Sequence, residues 1–131
     1  MENNALQIVS RFLTAVQKGD NETLGSLLHP DIQWSQPGSN RFSGMKKSIT
    51  EAFQMVGGMY EISGNTMALT DIKEVAINGN DVACLVHWKA IADGKELDVD
   101  NIDVYTVEGG KIVKTVVFSA DIEMEDSFWG K

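Results

Sequence analysis

The sequence is short of several residue types, and each shortage removes a class of function. One cysteine in 131 residues excludes an internal disulfide. That residue, Cys84, sits in an apolar alternating run with no histidine near it in sequence, so it reads as a buried structural thiol. The two histidines, His29 and His87, fall in distant elements, and His87 has the outward parity of its strand, so no metal centre is expected. No glycine-rich phosphate loop is present, which leaves nucleotide and flavin cofactors without a cradle, and no cofactor is expected. No apolar run approaches the roughly 20 residues of a membrane helix. The first residues, MENNALQ, carry an acid and two amides where a signal peptide carries positive charge, so a cytoplasmic location without a membrane partner is expected. Bases are scarce as well: 11 against 19 acids, a formal charge of −8. The acids cluster late, over 93–108 and 121–126, and repel phosphate backbones, which argues against a nucleic-acid partner.

What remains is an ordinary globular composition, 43% hydrophobic and 23% charged, of a length that suits one domain over 1–131. Leu6, Val9, Phe12, Leu13 and Val16 recur at helical spacing, with Asn3 or Asn4 as the cap and Gly19 as the stop. Asp20 restarts a short helix with Leu24, Leu27 and Leu28 inward, closed by His29-Pro30. Residues 31–36 read as a strand with Ile32, Trp34 and Gln36 on one face, followed by the loop Pro37-Gly38-Ser39-Asn40. Ser43 is expected to cap a third helix bearing Met45, Ile49, Ala52, Phe53 and Val56, which Gly57-Gly58 ends. From there the pattern is strand, at about 66–77, 81–91, 96–107 and 111–119, separated by Asn78-Gly79, Asp93-Gly94 and Gly109-Gly110. Helices early and strands late predict an α+β domain in which a curved antiparallel sheet wraps the helices.

Strand parity then sorts the polar residues. On the third of these strands Leu97, Val99, Asn101, Asp103, Tyr105 and Val107 share a face, so Asp103 stands among apolar neighbours while Asp98 and Asp100 face water. On the fourth, the same parity collects Val113, Thr115, Val117, Ser119 and, at the end, Asp121. With Trp34, Gln36 and Trp88 from other strands and Phe12 from the first helix, these residues outline an aromatic-lined hollow with a few polar groups, the usual form of a small-molecule site. Polar side chains such as Gln36, Asn101 and Asp103 cost free energy at core positions unless they are paired or used. Asp121 has a second reading, as a helix cap or surface acid opening the acidic tail. Both faces of the strand at 81–91 are largely apolar, which predicts a homodimer through the sheet's outer face.

The segments LLHPDIQWSQPG (27–38), NIDVYTVEGGKI (101–112), ADIEMEDSFW (120–129) and the Lys18-Gly19-Asp20 break carry a resemblance. Over nearly its whole length the chain resembles the SnoaL-like and ketosteroid isomerase-like branch of the nuclear-transport-factor-like superfamily. The resemblance implies a cone-shaped domain with a hydrophobic pocket inside three N-terminal helices and a curved sheet. It also implies site positions. The isomerases' general-base aspartate falls on Gln36 and their tyrosine oxyanion donor on Phe12, while their protonated aspartic acid matches Asp103. An amide is no base near neutral pH and Phe12 has no hydroxyl, so steroid isomerisation is not expected. The SnoaL-like cyclases use an acid near the end of the last strand, where Asp121 stands. An epoxide-hydrolase arrangement needs an inward arginine, and Arg11 and Arg41, the only two, read as solvated.

Two functions follow. One is a cofactor-free proton-transfer enzyme, an isomerase, cyclase or dehydratase, in which Asp103 and Asp121 act on a largely apolar carbonyl compound, with Phe12, Trp34, Gln36, Trp88, Asn101, Tyr105, Val117 and Ser119 around it. The other is a catalytically silent module on the same fold that holds a small apolar or aromatic ligand or serves assembly. The missing base at Gln36 favours the second, the inward acids the first.

Overall fold

A computed structural model of the chain describes residues 4–131. The amphipathic stripe of the N-terminus folds as α1 (Asn4–Lys18), burying Ala5, Ile8, Val9, Phe12, Leu13 and Ala15. Asn4 is already helical, and Asn3 lies outside the described residues. Gly19, at φ +67°, turns the chain into α2 (Asn21–Leu27), which Asp20 caps by accepting from the Thr23 amide. Leu28 and His29-Pro30 do not end that helix as expected: they open β1 (Leu28–Gln36). Pro30 is tolerated there because the β1 ladder is interrupted between Leu28 and Gln33, where its missing N–H is not needed.

The third helix also starts later than expected. Ser43 caps nothing; its hydroxyl donates to the Pro37 carbonyl and accepts from the Asn40 amide, closing the loop. Gly44–Lys46 forms the short strand β2, with Met45 exposed, and Ser48 caps α3 (Ile49–Ile62). Gly57 and Gly58 lie inside α3, whose end comes at Ser63 and the left-handed pair Gly64-Asn65. A Cβ at Gly58 would lie 2.8 Å from the Phe42 ring, so any side chain there would make that ring shift.

The remaining strands are β3 (Ala68–Asn78), β4 (Asp81–Ala92), β5 (Lys95–Glu108) and β6 (Lys111–Ser119). Asp93 and Gly94 both take positive φ, as a two-residue hairpin demands. Among the described residues the sheet has the order β2-β1-β6-β5-β4-β3, with all neighbours antiparallel except β1 and β6, which run parallel. The sheet is therefore mixed, not wholly antiparallel. A register shift in the β5–β6 ladder pairs Val107 with Ile112 and Thr106 with Lys114. It turns Ile112 inward and leaves Val113 only half-buried, reversing the parity expected at that end.

The acidic tail is a fourth helix, α4 (Ile122–Trp129), which places Glu125, Phe128 and Trp129 inward. It packs on β5, while α1 crosses β3 to β6 and α3 crosses β1 and β2. Asp126 fastens α4 to the loop at 37–43, its Oδ1 accepting from the Ser39 amide (2.8 Å) and the Asn40 side chain (2.9 Å). The two apolar clusters of the interior, one under α1 and one between α3 and α4, meet at Trp34 and Trp88. No described helix is long and apolar enough to cross a membrane.

The sheet's other face is also rich in carbon. Leu85, Ile102 and Phe118 stand in one cross-strand row, with Ala83, Val104 and Val116 in the next. Ile102 and Phe118 are about half exposed, as is Ile91. Beside them the His87 ring is held between Asp98 and Asp100, with Nδ1 2.6 Å from Asp100, and Lys73 also pairs with Asp100.

Candidate functional site

Between the sheet and the helices lies a cavity of about 520 Å³. That volume falls in the range of small-molecule sites, roughly 300–1,000 Å³. Alternation along β1, β4 and β5 delivers Trp34 and Gln36, Trp88, and Asn101, Asp103 and Tyr105 to its wall, and β6 adds Val117. Phe12 and Leu13 enter from α1, Met55, Met59 and Tyr60 from α3, and Glu125 and Trp129 from α4. Phe12 packs against Tyr105 at 5.3 Å between ring centres, and Trp34 stands edge-on to Tyr105 at 6.3 Å. These contacts fix the aromatic wall around the polar groups.

Asp103 is 4% exposed. Its Oδ2 accepts from the Tyr105 hydroxyl at 2.9 Å, and its Oδ1 has no partner. Burial pushes its carboxyl up to about 7, against the Tyr105 hydrogen bond, which pulls it down; the Glu125 charge adds to the rise. Asp103 is thus a carboxyl close to half-protonated at neutral pH, able to donate as well as accept.

Asp121 and Ser119 are placed differently from the sequence expectation. Asp121 is exposed, off the cavity wall, and caps α4 by accepting from the Met124 amide at 3.0 Å. The last strand ends at Ser119, so its alternation does not carry on to Asp121. Ser119 is also off the cavity wall; its hydroxyl bonds the Glu125 carboxyl and accepts from the Asp121 amide.

The acid that does reach the cavity beside Asp103 is Glu125, which sequence reasoning missed. It is 5% exposed. With its amide nitrogen turned toward α4, Asn101 donates to Glu125 Oε2 at 3.3 Å and to the Asp100 carbonyl at 2.9 Å. Burial raises the Glu125 carboxyl, the Ser119 bond opposes this, and the charges of Asp126 and Asp121 add to it. A signal for Glu125 was present: a capping aspartate four residues earlier, with Phe128 and Trp129 at helical spacing after it.

Gln36 does not point a free amide oxygen into the cavity, since Trp34 Nε1 donates to it at 3.0 Å. Cys84 is fully buried beneath the wall, its thiol pushed up to about 12 by burial and by the Asp103 charge. Among the described residues no group of three or more His, Cys, Asp or Glu could hold a metal ion. Arg11 and Arg41 are exposed.

A curved sheet closed over helices around a cavity is the cone-shaped α+β architecture of nuclear-transport-factor-like proteins. Residues 9–115 match the SnoaL-like domain, and the chain belongs to that family. It is similar to a protein of unknown function with a cystatin-like fold from Xanthomonas campestris, with 37% identity, TM-score 0.93, and 97% and 98% of the two chains covered. It is also similar to Bal32a from a soil-derived mobile gene cassette, at 25% identity and TM-score 0.92, with 97% of each chain covered. An uncharacterised protein of Mycobacterium tuberculosis is 27% identical over 124 residues, 95% of each chain.

Proposed function

We propose that the cavity binds a small, largely apolar carbonyl compound and that Asp103 hydrogen-bonds or protonates its carbonyl oxygen. The observation that carries this reading is Asp103 itself: an inward carboxyl in an aromatic wall, one oxygen held by Tyr105 and the other unpartnered. A buried polar atom without a partner costs free energy that a ligand's polar group offsets. Near neutral pH its proton is available for donation, and the apolar surroundings strengthen the bond it makes. Asp121 has no part in this reading. Where a second acid takes part, it is Glu125.

The test is a panel of aromatic ketones and polyketide-like phenols, followed by tryptophan fluorescence and then by turnover. Trp34, Trp88 and Trp129 all line the cavity, so occupancy has an optical signal. Compounds that bind but turn over equally in wild type and Asp103→Asn would remove the catalytic role.

A second reading, a binding module without catalysis, is favoured by Gln36 and Phe12, which supply neither a base nor a hydroxyl. Product formation from any panel member would exclude it. We also propose that a second copy covers the row Leu85, Ile102 and Phe118 on the sheet's outer face, because three large apolar side chains in register form a continuous patch. Sedimentation that shows only monomer at micromolar concentration would dismiss this partner.

A further inference from the structure

Among the described residues the cavity wall holds two carboxyls, Asp103 and Glu125, and no lysine, arginine or histidine. The charges that act on Glu125 are acids too: Asp126 and Asp121 on its own helix, with Asp103 coupled to it from β5. Its hydrogen-bond partners, the Ser119 hydroxyl and the Asn101 amide, are neutral. They orient the carboxyl without supplying a counter-charge. Burial raises both carboxyls, that of Asp103 to about 7. Glu125 is the one whose charged form two neutral partners favour, the Ser119 hydroxyl and the Asn101 amide. A carboxylate enclosed by carbon without a cation nearby is costly, and a cationic ligand would relieve that cost.

Two further features of the wall bear on the ligand. Asp103, 4% exposed and turned inward, has an oxygen with no partner, so the wall has an unmet polar demand besides Glu125. Trp88 and Trp129 line the same cavity, and an indole attracts an ammonium group placed over its face by its quadrupole. The protein's net charge of −8 also raises the local concentration of cations over anions. A phosphate or carboxylate on the ligand would meet the opposite of each of these.

We propose that the ligand carries, besides its carbonyl, a basic nitrogen whose ammonium pairs with Glu125 in the cavity that Trp88 and Trp129 also line. The inference rests on the small-molecule reading given above and narrows it to amine-bearing compounds. It makes Glu125 the residue that selects by charge and Asp103 the residue that meets the neutral oxygen.

The experiment compares phenethylamine with its neutral isostere phenethyl alcohol, and with acetophenone, by ligand-observed NMR on the full chain at pH 6, below the Asp103 carboxyl at about 7. The amine is expected to bind at least about tenfold more tightly than the alcohol, the equivalent of ~1.4 kcal/mol. Glu125→Gln is expected to bring the two affinities together, and Glu125→Asp to keep the amine ahead. Alcohol binding equal to or tighter than amine binding in the wild type overturns the proposal, whatever the variants do. So does an amine preference that survives Glu125→Gln and disappears in Asp103→Asn. If acetophenone and the alcohol bind while the amine does not, the charge assignment fails and the carbonyl-ligand reading stands. If none of the three binds, both fail.

Discussion

The Tyr105 hydroxyl donates to one carboxyl oxygen of Asp103 at 2.9 Å, two residues away on the same face of β5, and leaves the other oxygen free. The pair couples a phenol whose own ionisation is pushed far up by burial to an acid raised by the same cause. That hydrogen bond is the influence holding Asp103 down. Tyr105→Phe should therefore raise the Asp103 carboxyl above about 7, as followed by carbon NMR of the side chain. A carboxyl that titrates at or below its wild-type position in the variant would show that the bond does not act in this sense.

The stability of the fold should carry the mark of Asp103. Its folded carboxyl lies above the unfolded one, so the folded state binds more protons between ~4 and about 7. The stability it contributes is complete below pH ~4 and is lost as pH rises through about 7. Asp103→Asn removes this dependence while retaining an acceptor for Tyr105. Relative to wild type, the variant should gain on the order of a few kcal/mol between pH 4 and pH 8. Denaturant unfolding at the two pH values measures the difference, and an unchanged gap between wild type and variant would contradict it.

Asp121 and Glu125 should separate cleanly. Asp121→Ala removes a helix cap and is expected to cost about 1 kcal/mol, with no change in the affinity for a neutral ligand. Thermal unfolding and ligand titration on the same sample test both halves. A loss of affinity in Asp121→Ala without loss of α4 would return that residue to the site.

Adjacent glycines in α3 should respond in opposite directions. A Cβ at Gly57 meets nothing within 4 Å, so Gly57→Ala should stabilise the helix by up to ~1 kcal/mol. At Gly58 the Cβ would lie 2.8 Å from Phe42, which packs edge-on to Trp129 at 5.4 Å. Gly58→Ala should destabilise the protein and disturb Trp129 fluorescence. Equal effects of the two changes would mean that Phe42 yields freely.

The strand half of the chain was legible because alternation has a period of two and its turns need positive φ. Asp93-Gly94 and Gly109-Gly110 set the hairpins, and Asn101, Asp103 and Tyr105 then had to share a face. Alternation could not be carried through a register shift or past a strand end. For that reason alternation alone turns Val113 inward where Ile112 stands, and carries Asp121, in fact the α4 cap, to a wall that Glu125 occupies. Gly57-Gly58 misled for a different reason. A glycine ends a helix when the backbone needs positive φ, but Gly58 is set by a ring pressed against its Cα, a long-range contact that no local pattern reveals.

The parallel pairing of β1 with β6 has a consequence for how the molecule assembles. The hairpins β3–β4, β4–β5 and β5–β6 join neighbours in sequence, whereas Leu28 meets Ile112 and Trp34 meets Thr115 across most of the chain. Closing so long a loop is entropically the slowest part of building the sheet. Until it happens, β6 is a bare edge whose backbone from Lys114 to Val116 has no partner on that side, and a strand from a second molecule meets the same backbone geometry. The intended β1 therefore competes with a stranger for its place, and misassembly by strand exchange is expected to rise with concentration during refolding.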